Sequence, residues 1–282
     1  MTNVLLAVVF WLAGWAVNAW AARSRWSRTR AVGILIPVLF GLAVLALWQG
    51  IVTAFHVPEV VLPAPSSIGA AFMANLPMLG IDFVQTILKG ALSGFLIGSA
   101  AAVLVAILVD RSSFLKAGLL PIGNFAAALP IVGIAPIMVM WFGFDWHSKS
   151  AVVVVMVFFP VLVNMVAGLD ASERMQRDLM ATWGASDWQA LVKLRLPAAM
   201  PFLFNGLKIA STLALIGAIV AENFGSPTVG MGFRISTAVG KLDLPLVWAE
   251  IAVAALAGSA FYALVALIEK GVTFWHPSQR GV

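Results

Sequence analysis

The sequence predicts an all-α polytopic membrane protein with about seven transmembrane helices, its N-terminus outside and its C-terminus in the cytoplasm. Composition is the first reason: 62% of the 282 residues are apolar, 10% are charged and mean hydropathy is +1.01. Soluble domains carry about a quarter charged residues. The second is segment length. Apolar runs at about 2–22, 31–54, 82–109, 113–142, 149–169, 202–223 and 246–268 each approach the ~20 helical residues that a ~30 Å hydrocarbon core requires. The third is charge partition. With the N-terminus outside, thirteen Lys and Arg fall on the cytoplasmic side and three (Lys149, Arg234, Lys241) on the other, with Lys89 inside a span. That is a strong positive-inside bias. It accounts for the net charge of +5 without nucleic acid.

The elements follow in order. The first run ends in Ala19-Trp20-Ala21-Ala22, similar to a signal-peptide cleavage site, but no Lys or Arg precedes it and Arg23, Arg25, Arg28 and Arg30 follow. That charge order predicts a retained helix. Residues 1–55 thus read as two N-terminal helices and 56–80 as an extracytoplasmic segment. There Leu62-Pro63-Ala64-Pro65-Ser66 breaks the chain, and Ser66 or Ser67 caps a short helix through Leu76. A five-helix core spans 81–270, and a cytoplasmic tail occupies 271–282. The third span carries Gly90, Gly94, Gly98, Ala102 and Ala106 four apart, a ridge of small residues along which another helix can approach. Pro121, Pro130, Gly133 and Pro136 punctuate the fourth span. Backbone freed at membrane depth either lines a cavity or is buried in protein, so Pro130, Gly133, Pro136 and nearby Trp141 are candidates for a pathway, against a kink that only aids packing.

The longest polar internal stretch is 170–201, DASERMQRDLMATWGASDWQALVKLRLPAAMP. Two short helices are predicted in it. Asp170 caps the first with Glu173 reaching back, and Met175, Leu179 and Trp183 recur at four-residue steps before Gly184 in a left-handed C-terminal position. Ser186 and Gln189 form a capping box for the second, Trp188, Leu191, Val192 and Arg195 share its face, and Pro197 stops it. Bulky apolar side chains held outside lipid need a surface to bury against. A separate protein is the expected one.

Ionisable residues at membrane depth are functional candidates by default. Glu222 and Asn223 end the sixth span, either lining the outer mouth of a pathway or sitting at the interface. Lys89 is read as snorkelling or bonding between helices, Asn164 and Asn205 as inter-helix polar contacts, and Asp82 as solvated at an outer boundary. Gly225, Gly230 and Gly232 predict a flexible outer loop. His56, His147 and His276 are scattered, with no HExxH pattern and hence no metal site, no GxxxxGK[ST] loop occurs, and there is no Cys. Those spacings exclude metal-hydrolytic, thiol and P-loop chemistry within this chain.

The run from Gly184 through nine residues to Leu194, then Arg195 and Leu196-Pro197, resembles the cytoplasmic "EAA" loop of permease subunits of ATP-binding-cassette (ABC) importers. Asp178-Leu179-Met180 stand at the Glu-Ala-Ala positions, keeping a carboxylate but enlarging both alanines. The Leu62–Ser66 segment resembles one found in the nitrate/sulfonate/taurine group, which also includes thiamine-precursor and riboflavin permeases. Val229–Arg234 and Phe274–Ser278 are more similar to the heterocycle-importing members. The resemblance extends over about 60–270. It implies a type I importer core in the bacterial inner membrane and a second permease chain, expected as a homodimer. It also implies two ATPase subunits that bind ATP and Mg, an extracytoplasmic solute-binding protein, and no cofactor or catalytic residue in this chain. Leu179, Trp183 and Trp188 would be the apolar anchors, Asp178 would face a donor on the ATPase, and Gly184 would set the angle of the docked helices. The cargo it implies is a small organic molecule such as a pyrimidine or riboflavin, with a sulfonate, taurine or nitrate importer as the alternative. An ATP-independent secondary transporter would instead show inverted repeats and midplane carboxylates, and neither is visible.

Overall fold

The computed structural model describes residues 2–23, 29–112, 114–118, 121, 130–225 and 228–275. Arg25, Arg28, His276, Arg280 and much of the predicted fourth span lie outside them. The described secondary structure is helical. Among the described residues, five helices are long and apolar enough to cross a membrane, covering Val32–Ala54, Leu76–Asp110, Trp146–Asp170, Asp187–Gly225 and Leu244–Val272, with shorter apolar helices at Val8–Trp20 and Ile131–Phe142.

The chain divides into two compact units, Met1–Pro77 with Thr237–Ile251, and Met78–Ser236 with Ala252–Val282. In the first unit, α1 (Thr2–Arg23) packs on α2 (Arg30–Ala54). Gly14 allows the approach, since a Cβ there would stand 3.0 Å from that of Ala43. Helix α3 (Pro65–Ala74) begins two or three residues earlier than a Ser66 or Ser67 cap implies. Pro65 supplies the first helical position, where its fixed φ and missing N–H cost nothing. The predicted serine caps are used differently: Ser66 N–H donates to Gln49 Oε1 and Ser67 Oγ to Glu59 Oε1.

The second unit is built around three long helices: α4 (Leu76–Asp110), α6 (Trp146–Asp170) and α8 (Asp187–Gly225). Val153, Val157, Val161, Met165 and Leu169, each four apart on α6, are fully buried. They pack between Ala102, Ala106 and Val109 of α4 and Ala199, Ala210, Ala214 and Ala218 of α8. Lipid supplies no hydrophobic drive between helices, so close backbone approach through small residues does the work. A Cβ on Gly94 would meet Val153 at 2.5 Å, and one on Gly206 would meet Asn164 at 2.9 Å. The small-residue ridge of α4 is therefore an intramolecular seam. A π-helical segment, Val84–Leu92, interrupts α4. Helix α5 (Ile131–Phe142) starts immediately after Pro130, so that proline opens a helix and does not kink one. Two further short helices are α7 (Arg174–Thr182) and α9 (Met231–Gly240), and α10 (Leu244–Val272) closes the described chain.

Candidate functional site

The polar stretch folds much as its turn chemistry dictates, with two corrections. Asp170 does not cap α7; it is the last residue of α6 and pairs with Lys116. Glu173 is the N-cap, and its box is completed by Gln176. Gly184 has φ +73°. Ala185 N–H reaches Met180 O and Gly184 N–H reaches Ala181 O, the paired bonds of a Schellman end. Ser186 then starts α8 with the expected box to Gln189. Pro197 does not stop that helix. A π-helical turn, Leu191–Arg195, directly precedes Leu196, and the shifted hydrogen-bond register places Pro197 where, as in a first helical turn, its missing N–H is tolerated.

No residue of α7 is buried. Met175 and Trp183 are each 75% exposed, Trp188 60% and Leu179 50%, while Asp178 and Gly184 are also exposed and Met180 is half-buried. The predicted shared face of the second helix divides. Trp188 and Val192 face outward, whereas Leu191 is buried and Arg195 turns to Asp110. Leu194, Leu196 and Pro197 are half-buried. The stretch is an apolar knuckle on a base seated in its own core.

A second cluster lies at the opposite end of the same three helices. Glu222 and Asp82 are buried, not at an open mouth or solvated as their positions suggested. Thr86 Oγ1 donates to Glu222 Oε1 at 2.8 Å, and Gly232 N–H donates to Glu222 Oε2 at 2.8 Å. Gly230 N–H donates to Asp82 Oδ1 at 2.7 Å, Arg234 Nε to Asp82 Oδ2 at 2.8 Å, and Met231 N–H to Thr86 Oγ1 at 2.8 Å. Three consecutive donors at the start of α9 are thus satisfied by side chains of α4 and α8, in place of a local cap. The glycines here are sites of close approach and not slack: a Cβ on Gly232 would lie 2.1 Å from the Ile219 carbonyl oxygen. Lys149, read as an outer loop cation, is buried in α6, and its Nζ donates to the carbonyls of Phe144 (2.5 Å), Asp145 (3.1 Å) and Gly225 (2.5 Å). Asn223 is exposed and accepts from Ser236 Oγ. Asn164 and Asn205 bond to each other at 3.0 Å.

The remaining pathway candidates share α5. That helix buries only Ala135 and Val139. Pro130, Gly133, Pro136 and Trp141 are exposed, and Trp141 borders an apolar groove of about 450 Å³ with Ile97, Met138, Trp146 and Val154. The structure brings Glu222 and Asn223 together with neither this face nor the knuckle. Sequence reasoning missed the roles of Asp82, Thr86, Lys149 and Arg195. The available signal was general: each polar side chain inside or beside a span needs a partner.

The family described as "Binding-protein-dependent transport system inner membrane component" matches residues 94–274, more than half of the chain. The riboflavin transport system permease protein RibX of Chloroflexus aurantiacus is 32% identical over 250 residues, 88% of this chain and 91% of the relative. The formylaminopyrimidine transport permease protein ThiX of Halalkalibacterium halodurans is 30% identical, covering 89% and 99%. The putative aliphatic sulfonates transport permease protein SsuC of Bacillus subtilis is 31% identical, covering 94% and 95%. A family match that runs from within α4 through the knuckle and Glu222 into α10, with relatives at 30–32% identity over most of their length, leaves one assignment: the chain belongs to the binding-protein-dependent inner membrane components, as a multi-pass type I permease subunit of an ABC importer in the bacterial plasma membrane.

Proposed function

We propose that α7 and the start of α8 are the cytoplasmic docking element through which this permease takes force from an ATPase subunit. One observation carries the reading. Met175, Leu179, Trp183 and Trp188 stand exposed on a capped, well-formed turn that no described residue buries, with only the Arg111 guanidinium lying 5.6 Å over the Trp188 ring. Large aromatic and aliphatic anchors of this kind dominate binding when they enter a partner's pocket. Two ATPase subunits would hold ATP and Mg, two copies of this chain would enclose the pathway, and an extracytoplasmic solute-binding protein would deliver cargo. Rocking of the docked turn would drive the spans between inward- and outward-open states. The test is co-purification of the ATPase subunit with the wild-type chain and its loss in Trp183→Asp. Because the chain lacks cysteine, Gln176→Cys labelling in intact cells and inverted vesicles reports the side of the membrane. Labelling from outside would end the proposal.

The cargo we favour is a small heterocycle of the pyrimidine or riboflavin kind. The buried or half-buried cations of the spans are already engaged, Lys149 by three carbonyls and Lys208 by Glu269 at 2.8 Å. That leaves little fixed positive charge for an anion. The second reading, sulfonate import, is favoured by exposed Lys89 on α4. Binding of riboflavin, a formylaminopyrimidine and an alkanesulfonate to the cognate solute-binding protein separates the two.

A further inference from the structure

Behind the knuckle, one guanidinium joins three helices. Arg195, the last residue of the π-helical turn in α8, donates from Nη1 to Asp110 Oδ2 and from Nη2 to Asp110 Oδ1, both at 2.6 Å. Its Nε and Nη2 also reach the Leu169 carbonyl at 3.2 and 3.0 Å. Asp110 is the last residue of α4, with its side chain 5% exposed, and Leu169 is the penultimate residue of α6 and fully buried. Only the planar fork of arginine can grip a carboxylate with two parallel bonds and still reach a carbonyl. A cation is also favourable beside the carbonyl ends of two helices.

What surrounds this clasp makes it mechanically important. Helix α7 buries none of its residues, and a cleft of about 530 Å³ lies behind it, lined by Asp110, Arg111, Arg177, Met180, Leu191 and Arg195. With no fully buried residue, α7 has little side-chain packing through which to pass a push to α4. The π turn marks a local register change at the point where the docking stretch becomes a membrane helix, the kind of irregularity found at functional positions.

We propose that Arg195 is a positioning residue for energy coupling: through Asp110 and the Leu169 carbonyl it makes the ends of α4 and α6 move with the docking turn. This rests on the docking reading above. Without the clasp, the turn would still bind the ATPase subunit, but its motion would be left to the α8 backbone, the buried Leu191 side chain and the Arg111–Trp188 contact, with no hydrogen bond from the docking stretch tying the ends of α4 and α6 together.

The test uses the assembled importer, with its ATPase subunits and solute-binding protein, in proteoliposomes. Arg195→Gln and Asp110→Asn are expected to retain the ATPase subunit while solute moved per ATP hydrolysed falls about tenfold, with the double variant no worse than either single one, as residues acting as one unit behave. Arg195→Lys keeps the cation but not the fork and is expected to couple at an intermediate level; it also serves if Arg195→Gln does not accumulate in the membrane. Wild-type coupling in Arg195→Lys together with either single variant overturns the clasp. So does loss of ATPase binding in the variants, which would make Arg195 part of the docking face. If the wild-type chain itself binds no ATPase subunit, the docking reading fails and not the clasp alone.

Discussion

Thr86 and Glu222, 136 residues apart in sequence, meet inside the second unit, the single Thr86 hydroxyl proton shared between Glu222 Oε1 and Oε2 at 2.8 and 2.9 Å. With Asp82 they hold the first backbone donors of α9, so the turn at Gly230–Gly232 is fixed by side chains from two membrane helices. Asp82→Ala would leave Arg234 without its 2.8 Å bond and the Gly230 N–H without its acceptor. Breaking one side of a buried pair costs about 3–5 kcal/mol. Thermal unfolding in detergent should show the drop, with a smaller one for Glu222→Gln, which keeps one acceptor oxygen. Equal midpoints for Asp82→Ala and wild type would dissolve the clamp.

Gly184 has open space around its missing Cβ but a φ of +73°, so conformation and not volume forbids a side chain there. An L-residue held left-handed costs about 1–2 kcal/mol, and Asn visits that region most readily. Gly184→Trp should abolish ATPase coupling while membrane insertion stays intact, and Gly184→Asn should retain most of it. ATPase stimulation by the loaded solute-binding protein measures both. If Asn and Trp behave alike, tolerance of the left-handed conformation does not decide coupling at this position and the angle argument is wrong.

How much of this was legible in the sequence depends on distance along the chain. The Gly184 end and the Ser186–Gln189 box are local chemistry, so reading residues four or fewer apart suffices. The ridge at Gly90, Gly94 and Gly98 was also visible, because a four-residue repeat is a helix face. Pro197 misled because a proline normally ends a helix, and nothing local announces a π turn at Leu191–Arg195. Asp82, Lys149 and Arg195 were opaque for another reason. Each has a partner far along the chain, 148, 76 and 85 residues away respectively, and charge counting reads such residues as loop charges when burial has already paired them.

The docking face divides its residues by exposure, and binding should divide with it. Leu179→Asp and Trp183→Ala remove exposed anchors from a helix with no buried residue. Each should weaken ATPase association by about 2 kcal/mol or more, the range of an interface hot spot. Thermal stability should stay unchanged. Leu256→Ala, on an exposed position of α10, is the control expected to change neither. Calorimetric or pull-down affinity decides the matter, and a Trp183→Ala chain that binds normally would move the anchor elsewhere.

Gly94 tests the seam between α4 and α6. A Cβ there would lie 2.5 Å from Val153 Cβ and 2.7 Å from the Ser150 carbonyl oxygen. Backbone cannot give way as a flexible side chain can, so Gly94→Leu should destabilise by more than the about 1–3 kcal/mol of ordinary overpacking. Gly69→Ala, with nothing within 4 Å, should be near neutral. Detergent unfolding and yield in the membrane fraction measure the contrast.

Lys89 separates the two cargo readings. It is exposed on α4, twenty-one residues from Asp110, about 31 Å at 1.5 Å per residue. If Asp110 marks one edge of the hydrocarbon, Lys89 therefore lies near the other. A long ammonium side chain there reaches water at little cost. An anionic cargo entering along α4 would gain from that charge, and a neutral heterocycle would not. Under the favoured reading, Lys89→Met changes import by less than about threefold, because one exposed charge is worth only about 0–1 kcal/mol. Under the sulfonate reading, import should fall well beyond that and its salt dependence should flatten, since a screened attraction has been removed. Measuring uptake at low and high ionic strength in the same vesicles distinguishes a lost charge from a damaged fold, which would lower uptake equally at both.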